Sequence, residues 1–187
     1  MIRAIITDFD GTLVDTFEAN YRAYKKAFES VGIDLKREKY RECFGYRYDS
    51  FMQAMGVYDG SIAQAIKDFK MNCYPEYFQY LKPNKALINL IAAFKDMGGR
   101  TAIASTARKE NLMNVVNFLG IAGYFDLIYA GADVQNGKPN PEIYTKSMEA
   151  LRVIPKETII FEDSHVGIAA AKASGASYMI VSEKQFE

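Results

Sequence analysis

The chain of 187 residues carries 23 basic and 23 acidic side chains, so its net charge is zero; with no lysine- or arginine-rich block, nucleic acid is disfavoured as a partner. That length fits one ordinary domain, or a core with a small insertion, and buries a core without staples; Cys43 and Cys73 match no Cys-x-x-Cys pattern and read as free thiols. No apolar signal region opens the chain and no hydrophobic run reaches the span of a bilayer, so the expectation is a cytoplasmic protein without a membrane partner.

Ala4-Ile5-Ile6 reads as a short buried strand, followed directly by Asp8-Phe9-Asp10-Gly11-Thr12-Leu13-Val14-Asp15-Thr16. Side chains at i and i+2 leave a strand on the same side, so Asp8 and Asp10 can face one site, and Gly11 permits a sharp turn beyond them. At roughly 4 Å and an effective dielectric near 20, two like charges oppose each other by about 4 kcal/mol. Either one carboxyl is protonated or a cation sits between them. The plain alternative is a strand that ends in an acidic Asp-Gly turn.

Phe17, Tyr21, Tyr24, Phe28 and Val31 recur every three or four residues, which predicts a helix ending near Gly32 with these side chains as its apolar stripe. The next convincing strand is Thr101 to Ser105, too far downstream for a plain strand-helix-strand unit of roughly thirty residues. The surplus predicts an all-helical insertion over residues 16 to 81, with helices near 37 to 44, 49 to 56 and 61 to 80. The last would carry Ile62, Ile66, Phe69, Cys73 and Tyr77 on one side, and Lys82-Pro83 would be the return hinge. Then come helix 84 to 97, strand 101 to 105, helix 109 to 119, strand 126 to 130, helix 141 to 151, strand 158 to 162, helix 165 to 174 and strand 177 to 181. Such alternation defines an α/β class: a Rossmann-like, doubly wound, mostly parallel sheet core over residues 1 to 15 and 82 to 187. Ligands bind beyond the carboxyl ends of such strands, where Asp8, Asp10, Ser105, Glu162 and Asp163 all fall. Gly131 to Lys138 is no P-loop, because five residues rather than four separate its glycines and Pro139 stands where Ser or Thr is needed.

Asp8-Phe9-Asp10-Gly11-Thr12 after an apolar strand resembles the first signature of the haloacid dehalogenase superfamily of phosphohydrolases. Its further signatures follow in order: Ser105 closing the strand Thr101 to Ala104, Lys138 in Gly137-Lys138-Pro139-Asn140-Pro141, and Glu162-Asp163-Ser164 after Thr158 to Phe161. The resemblance runs from Ala4 to about Val181 and points to the phosphoglycolate phosphatase and beta-phosphoglucomutase branch, whose helical cap sits between the first signature and the second strand.

The resemblance implies a Mg2+-dependent phosphatase that hydrolyses the phosphate monoester of a small metabolite, a sugar phosphate or phosphoglycolate, through an aspartyl-phosphate intermediate. Asp8 would be the nucleophile and Asp10 the general acid and later base. Ser105 and Lys138 would bind phosphate, with Thr106 competing for the hydroxyl role. Asp8, the backbone carbonyl of Asp10 and Asp163 would hold the metal, and Glu162 would join them directly or through water. Arg47, Lys70, Arg108, Asn20 and Thr16 are the substrate-binding candidates, with solvated surface charge as the simpler account of the three cations. His165 belongs to no signature and reads as a surface or capping residue.

A beta-phosphoglucomutase-like mutase is the alternative, but Asn20 stands where that enzyme has a histidine and Thr12 where it has an apolar residue, so hydrolysis is preferred. A dehalogenase would lack the second aspartate, Asp10. A phospho-accepting regulatory module would place its acceptor after the third strand, which Gly131-Ala132-Asp133 matches poorly. Relatives carry a terminal helix where this chain stops soon after Val181, which makes a monomer or weak homodimer the expected state.

Overall fold

Ala4–Thr7 (β1) is buried at every residue, as a central strand covered on both faces must be. The structure is a computed structural model and describes residues 1 to 186, so position 187, the end of the expected core range, lies outside the described residues. The chain divides into two compact units: Met1–Asp15 with Lys82–Glu187, and Thr16–Leu81.

In the first unit the strands are β1, Val14–Asp15 (β2), Lys82–Pro83 (β3), Arg100–Ala104 (β4), Leu127–Tyr129 (β5), Thr158–Glu162 (β6) and Ser177–Ile180 (β7). Five of them form one parallel sheet in the order β5-β4-β1-β6-β7. Its helices are Lys85–Asp96 (α5), Lys109–Phe118 (α6), Glu142–Ala150 (α7) and His165–Ala173 (α8). The chain builds β1, β4 and β5 in one direction, then crosses back to β6 and β7. Right-handed crossovers therefore put α5 and α6 on one face and α7 and α8 on the other. A core of Ala4, Ile6, Ala102, Ala104 and Ile160 from the strands with Ile143, Tyr144, Met148, Ala170 and Ala171 from α7 and α8 marks that second face. The reversal at β1 and β6 opens a crevice where their carboxyl ends meet, the usual ligand position in such sheets.

The second unit is all-helical: Phe17–Glu29 (α1), Arg37–Glu42 (α2), Tyr48–Ala54 (α3), Gly60–Cys73 (α4) and a 3-10 turn over Tyr74–Tyr80. Two expectations need correction here. The helix expected over 61 to 80 tightens at Tyr74, because Pro75 has no N–H for the next intrahelical bond; Ile62 and Phe69 are exposed, whereas Ile66, Lys70 and Cys73 are buried. In α1 the innermost residues are Ala19, Ala23, Ala27 and Phe28, while Phe17, Tyr21 and Tyr24 are half-buried. These rings join Tyr40, Phe44 and Phe51 in one cluster whose neighbouring centroids lie 5.0 to 6.4 Å apart. No helix among the described residues is long and apolar enough to cross a membrane.

Candidate active site

The ladder continues past β1 as Asp8 N–H donates to Phe161 O at 2.9 Å, so Asp8 is fixed at the mouth of the crevice beside the end of β6. The chain then turns back: Leu13 and Val14 N–H both donate to Phe9 O at 3.0 Å, and Gly11 N–H donates to Val14 O at 2.8 Å. Gly11 holds φ +88°, and a Cβ there would meet Asp163 Oδ2 at 2.3 Å, so both its backbone and the approach of Asp163 require glycine. Asn84, buried between the turn and α5, donates to Thr12 O at 3.3 Å and accepts Leu87 N–H at 3.1 Å as the cap of α5. Val14 and Asp15 pair antiparallel with Pro83 and Lys82, so Lys82-Pro83 is a strand as well as the expected return point.

Lys138 reaches into the crevice from the loop before α7. Its Nζ lies 2.5 Å from Asp8 Oδ1 and 2.5 Å from Glu162 Oε1, with all three side chains nearly or fully buried. Glu162 Oε1 also accepts the Tyr144 hydroxyl at 2.7 Å. Its Oε2 accepts Asp163 N–H, Ser164 N–H and the Ser164 hydroxyl at 2.9, 3.1 and 3.2 Å. Asp163 Oδ1 accepts the Thr12 hydroxyl at 2.7 Å. Ser164 caps α8 by accepting Gly167 N–H at 3.0 Å, and His165, the first residue of that helix, is exposed.

Burial pushes the Asp8 carboxyl well above the ordinary aspartate range, helped by the Glu162 and Asp163 carboxylates and opposed by Lys138. Burial alone would depress the Lys138 ammonium, but Asp8, Tyr144 and Glu162 outweigh it and hold it well above the usual lysine value. Burial likewise works against Glu162, yet the Lys138 charge and the Lys138 and Tyr144 bonds bring it below the ordinary range. Asp163 is raised to about 6, first by burial and then by Glu162, against the Thr12 bond.

One oxygen each from Asp8, Glu162 and Asp163 lie within 4.8 Å of one another. Three carboxylates here meet one ammonium, and an all-oxygen donor set under that charge stress fits a hard divalent cation such as Mg2+. Both Glu162 oxygens already accept N–H or O–H donors, which fits that residue to orienting Lys138 better than to direct ligation.

Asp10, half-buried, bridges to Val14 inside the same turn. Ser105 directly follows β4, with its N–H on Tyr129 O at 3.0 Å, and its Oγ accepts Ala107 N–H at 3.0 Å. That bond orders the loop, and Thr106 is the more exposed neighbour. Gly131 lets the loop after β5 lie against it, since a Cβ there would meet Thr106 O at 2.4 Å. Arg108 stands just ahead of α6 and pairs with Glu110 at 3.7 Å. Thr16, Asn20, Arg47 and Lys70 belong to the helical unit. Lys70 is not a solvated surface charge: it is 2% exposed, with Nζ 3.5 Å from the Tyr74 ring centroid and 5.2 Å from that of Tyr24. Arg47 is half-buried just before α3, Asn20 half-buried in α1, and Thr16 fully buried ahead of it. Neither the Tyr144 nor the Thr12 hydroxyl stands out in the sequence as part of the site; for Tyr144 the signal was a hydroxyl on the buried face of α7, beside Ile143 and Met148, which demands a partner.

Fold and crevice together define an α/β enzyme of the haloacid dehalogenase-like hydrolases, and the chain belongs to that family, whose model matches residues 5–181. It is 30% identical to the Thermotoga maritima "Phosphorylated carbohydrates phosphatase" over 182 residues, covering 93% of this chain and 82% of the relative. Among solved structures it resembles a variant of CbbY from Rhodobacter sphaeroides in complex with xylulose-(1,5)bisphosphate, at 29% identity and TM-score 0.86, over 100% of this chain and 89% of that one. It also resembles beta-phosphoglucomutase from Clostridium difficile, at 27% identity and TM-score 0.82, over 100% and 87%.

Proposed function

We propose that the chain is a Mg2+-dependent phosphatase of a small phosphorylated carbohydrate and works through a phosphoryl group carried on Asp8. The observation that carries this reading is the Lys138 ammonium bridging Asp8 and Glu162 at 2.5 Å each, inside a three-carboxylate cluster at the switch point of the sheet. A phosphate monoester is a dianion, so a carboxylate nucleophile needs fixed positive charge on the ester it attacks. Lys138 and the Ser105 hydroxyl supply donors for the phosphoryl oxygens. Asp8, Asp163 and the Asp10 backbone carbonyl would hold Mg2+, which supplies the remaining positive charge; Glu162 orients the cluster.

Asp8 attacks phosphorus as the bond to the leaving oxygen breaks, and the Asp10 carboxyl gives that oxygen its proton. Asp10, now a carboxylate, takes a proton from the water that attacks the same phosphorus, which releases inorganic phosphate and restores Asp8. Arg47, Asn20, Thr16, Lys70 and Arg108 are proposed to select the substrate, with Lys70 doing so through the aromatic rings it braces.

Asp8→Asn should abolish phosphate release from a panel of sugar phosphates and phosphoglycolate while circular dichroism stays unchanged. EDTA should silence the wild type, and added Mg2+ should restore it. Turnover retained by Asp8→Asn refutes the nucleophile. The likeness to beta-phosphoglucomutase sustains a second reading, return of the phosphoryl group to sugar. Interconversion of glucose 1-phosphate without phosphate release would establish it in place of hydrolysis.

A further inference from the structure

Tyr144 has no part in the steps above, yet its hydroxyl is buried at their centre. Its ring packs in the core of α7 and the sheet, and Oη donates to Glu162 Oε1 at 2.7 Å. The same oxygen accepts Lys138 Nζ, which stands 5.0 Å from the Tyr144 ring centroid. We propose that the Tyr144 hydroxyl is a positioning group for Lys138: it shares Glu162 Oε1 and so keeps the ammonium between Glu162 and Asp8. The inference rests on the reading of Asp8 as nucleophile.

The physical reason is a division of donors. Glu162 Oε2 is served by three donors of its own, the Asp163 and Ser164 N–H groups and the Ser164 hydroxyl. Oε1 has only Tyr144 and Lys138 among the described residues. Without the tyrosine hydroxyl, a buried carboxylate oxygen depends on Lys138 alone, and its attraction draws the ammonium away from Asp8. A ring in that place fills space, whereas only a hydroxyl does the sharing.

Tyr144→Phe removes Oη and keeps the ring. Its kcat should fall about tenfold while KM stays within about twofold and the melting temperature within a few degrees of wild type, the pattern of an interaction made in the transition state. In metal-free protein labelled with 15N-lysine, the Lys138 ammonium resonance, assigned by its loss in Lys138→Met, should shift in Tyr144→Phe. Wild-type kcat, an unmoved resonance, or a loss confined to KM or to stability overturns the inference, provided Asp8→Asn is inactive. Turnover by Asp8→Asn instead removes the reading beneath it, whatever Tyr144→Phe does.

Discussion

Glu162 and Asp163 are adjacent carboxylates with different surroundings. Glu162 is fully buried and accepts five donors, whereas Asp163 accepts the Thr12 hydroxyl and its own carboxyl is raised to about 6. The first is held as an anion; the second, with fewer donors, is the one proposed to meet the cation. Space around Glu162 is correspondingly tight, since a Cβ at Gly167 would lie 1.7 Å from its Oε1. Alanine for glycine inside a helix ordinarily adds up to about 1 kcal/mol. Gly167→Ala should reverse that sign and destabilise by more than about 1 kcal/mol in chemical denaturation, with loss of turnover, because Glu162 must move. Lys138→Ala leaves Asp8 and Glu162 facing each other without their shared ammonium. It should cost roughly 3 kcal/mol of stability and lower kcat at least about a hundredfold, measured by urea titration and phosphate release.

At the level of elements, the β5 edge of the sheet is tied by Asp126, just ahead of that strand. Its Oδ2 accepts Thr101 N–H at 2.9 Å, its own N–H donates to Thr101 O at 2.9 Å, and Lys95 pairs with Oδ1. Burial would raise this carboxyl, but Lys95 and Thr101 outweigh it and bring its pKa below the ordinary value. A depressed folded pKa means stability that is present above the unfolded value near 4 and lost as pH falls through the folded one. With 37% of the side chain exposed, solvent screening limits the effect, so Asp126→Asn should cost about 1 kcal/mol at pH 7 and markedly less near pH 3. In the helical unit Asp59 caps α4, accepting Ser61 and Ile62 N–H at 2.7 and 3.2 Å. Asp59→Ala should lower the midpoint of a urea titration, because it removes that cap. The sequence placed α4 one residue late because its apolar pattern starts at Ile62, whereas the cap that sets the boundary is polar. The β2 and β3 strands have two residues each, too few for any periodicity to register. In α1 the predicted stripe of Phe17, Tyr21, Tyr24, Phe28 and Val31 does pack into the core of the helical unit; what its rings concealed is that Ala19, Ala23 and Ala27 are buried as deeply as Phe28, since small side chains let packed helices approach.

For the molecule as a whole, three of the four signatures were legible because each lies at the end of a strand whose apolar run is strong, and parallel alternation sends those ends to one edge; the fourth, around Lys138, lies in the loop before α7. Asp8, Lys138, Glu162 and Asp163 meet there from segments far apart in the chain. What the sequence could not disclose was how charge is shared among them, since hydrogen-bond partners such as Tyr144 and Thr12 are set by packing rather than by pattern. The central claim is the proposal that this shared charge lets Asp8 carry a phosphoryl group. Acid quench during turnover of a sugar phosphate, followed by peptide mass spectrometry, measures this directly. The account predicts a phosphorylated peptide whose modified residue is Asp8, absent in Asp8→Asn; a phosphoryl group on any other residue, or steady turnover with no modified peptide, would contradict it.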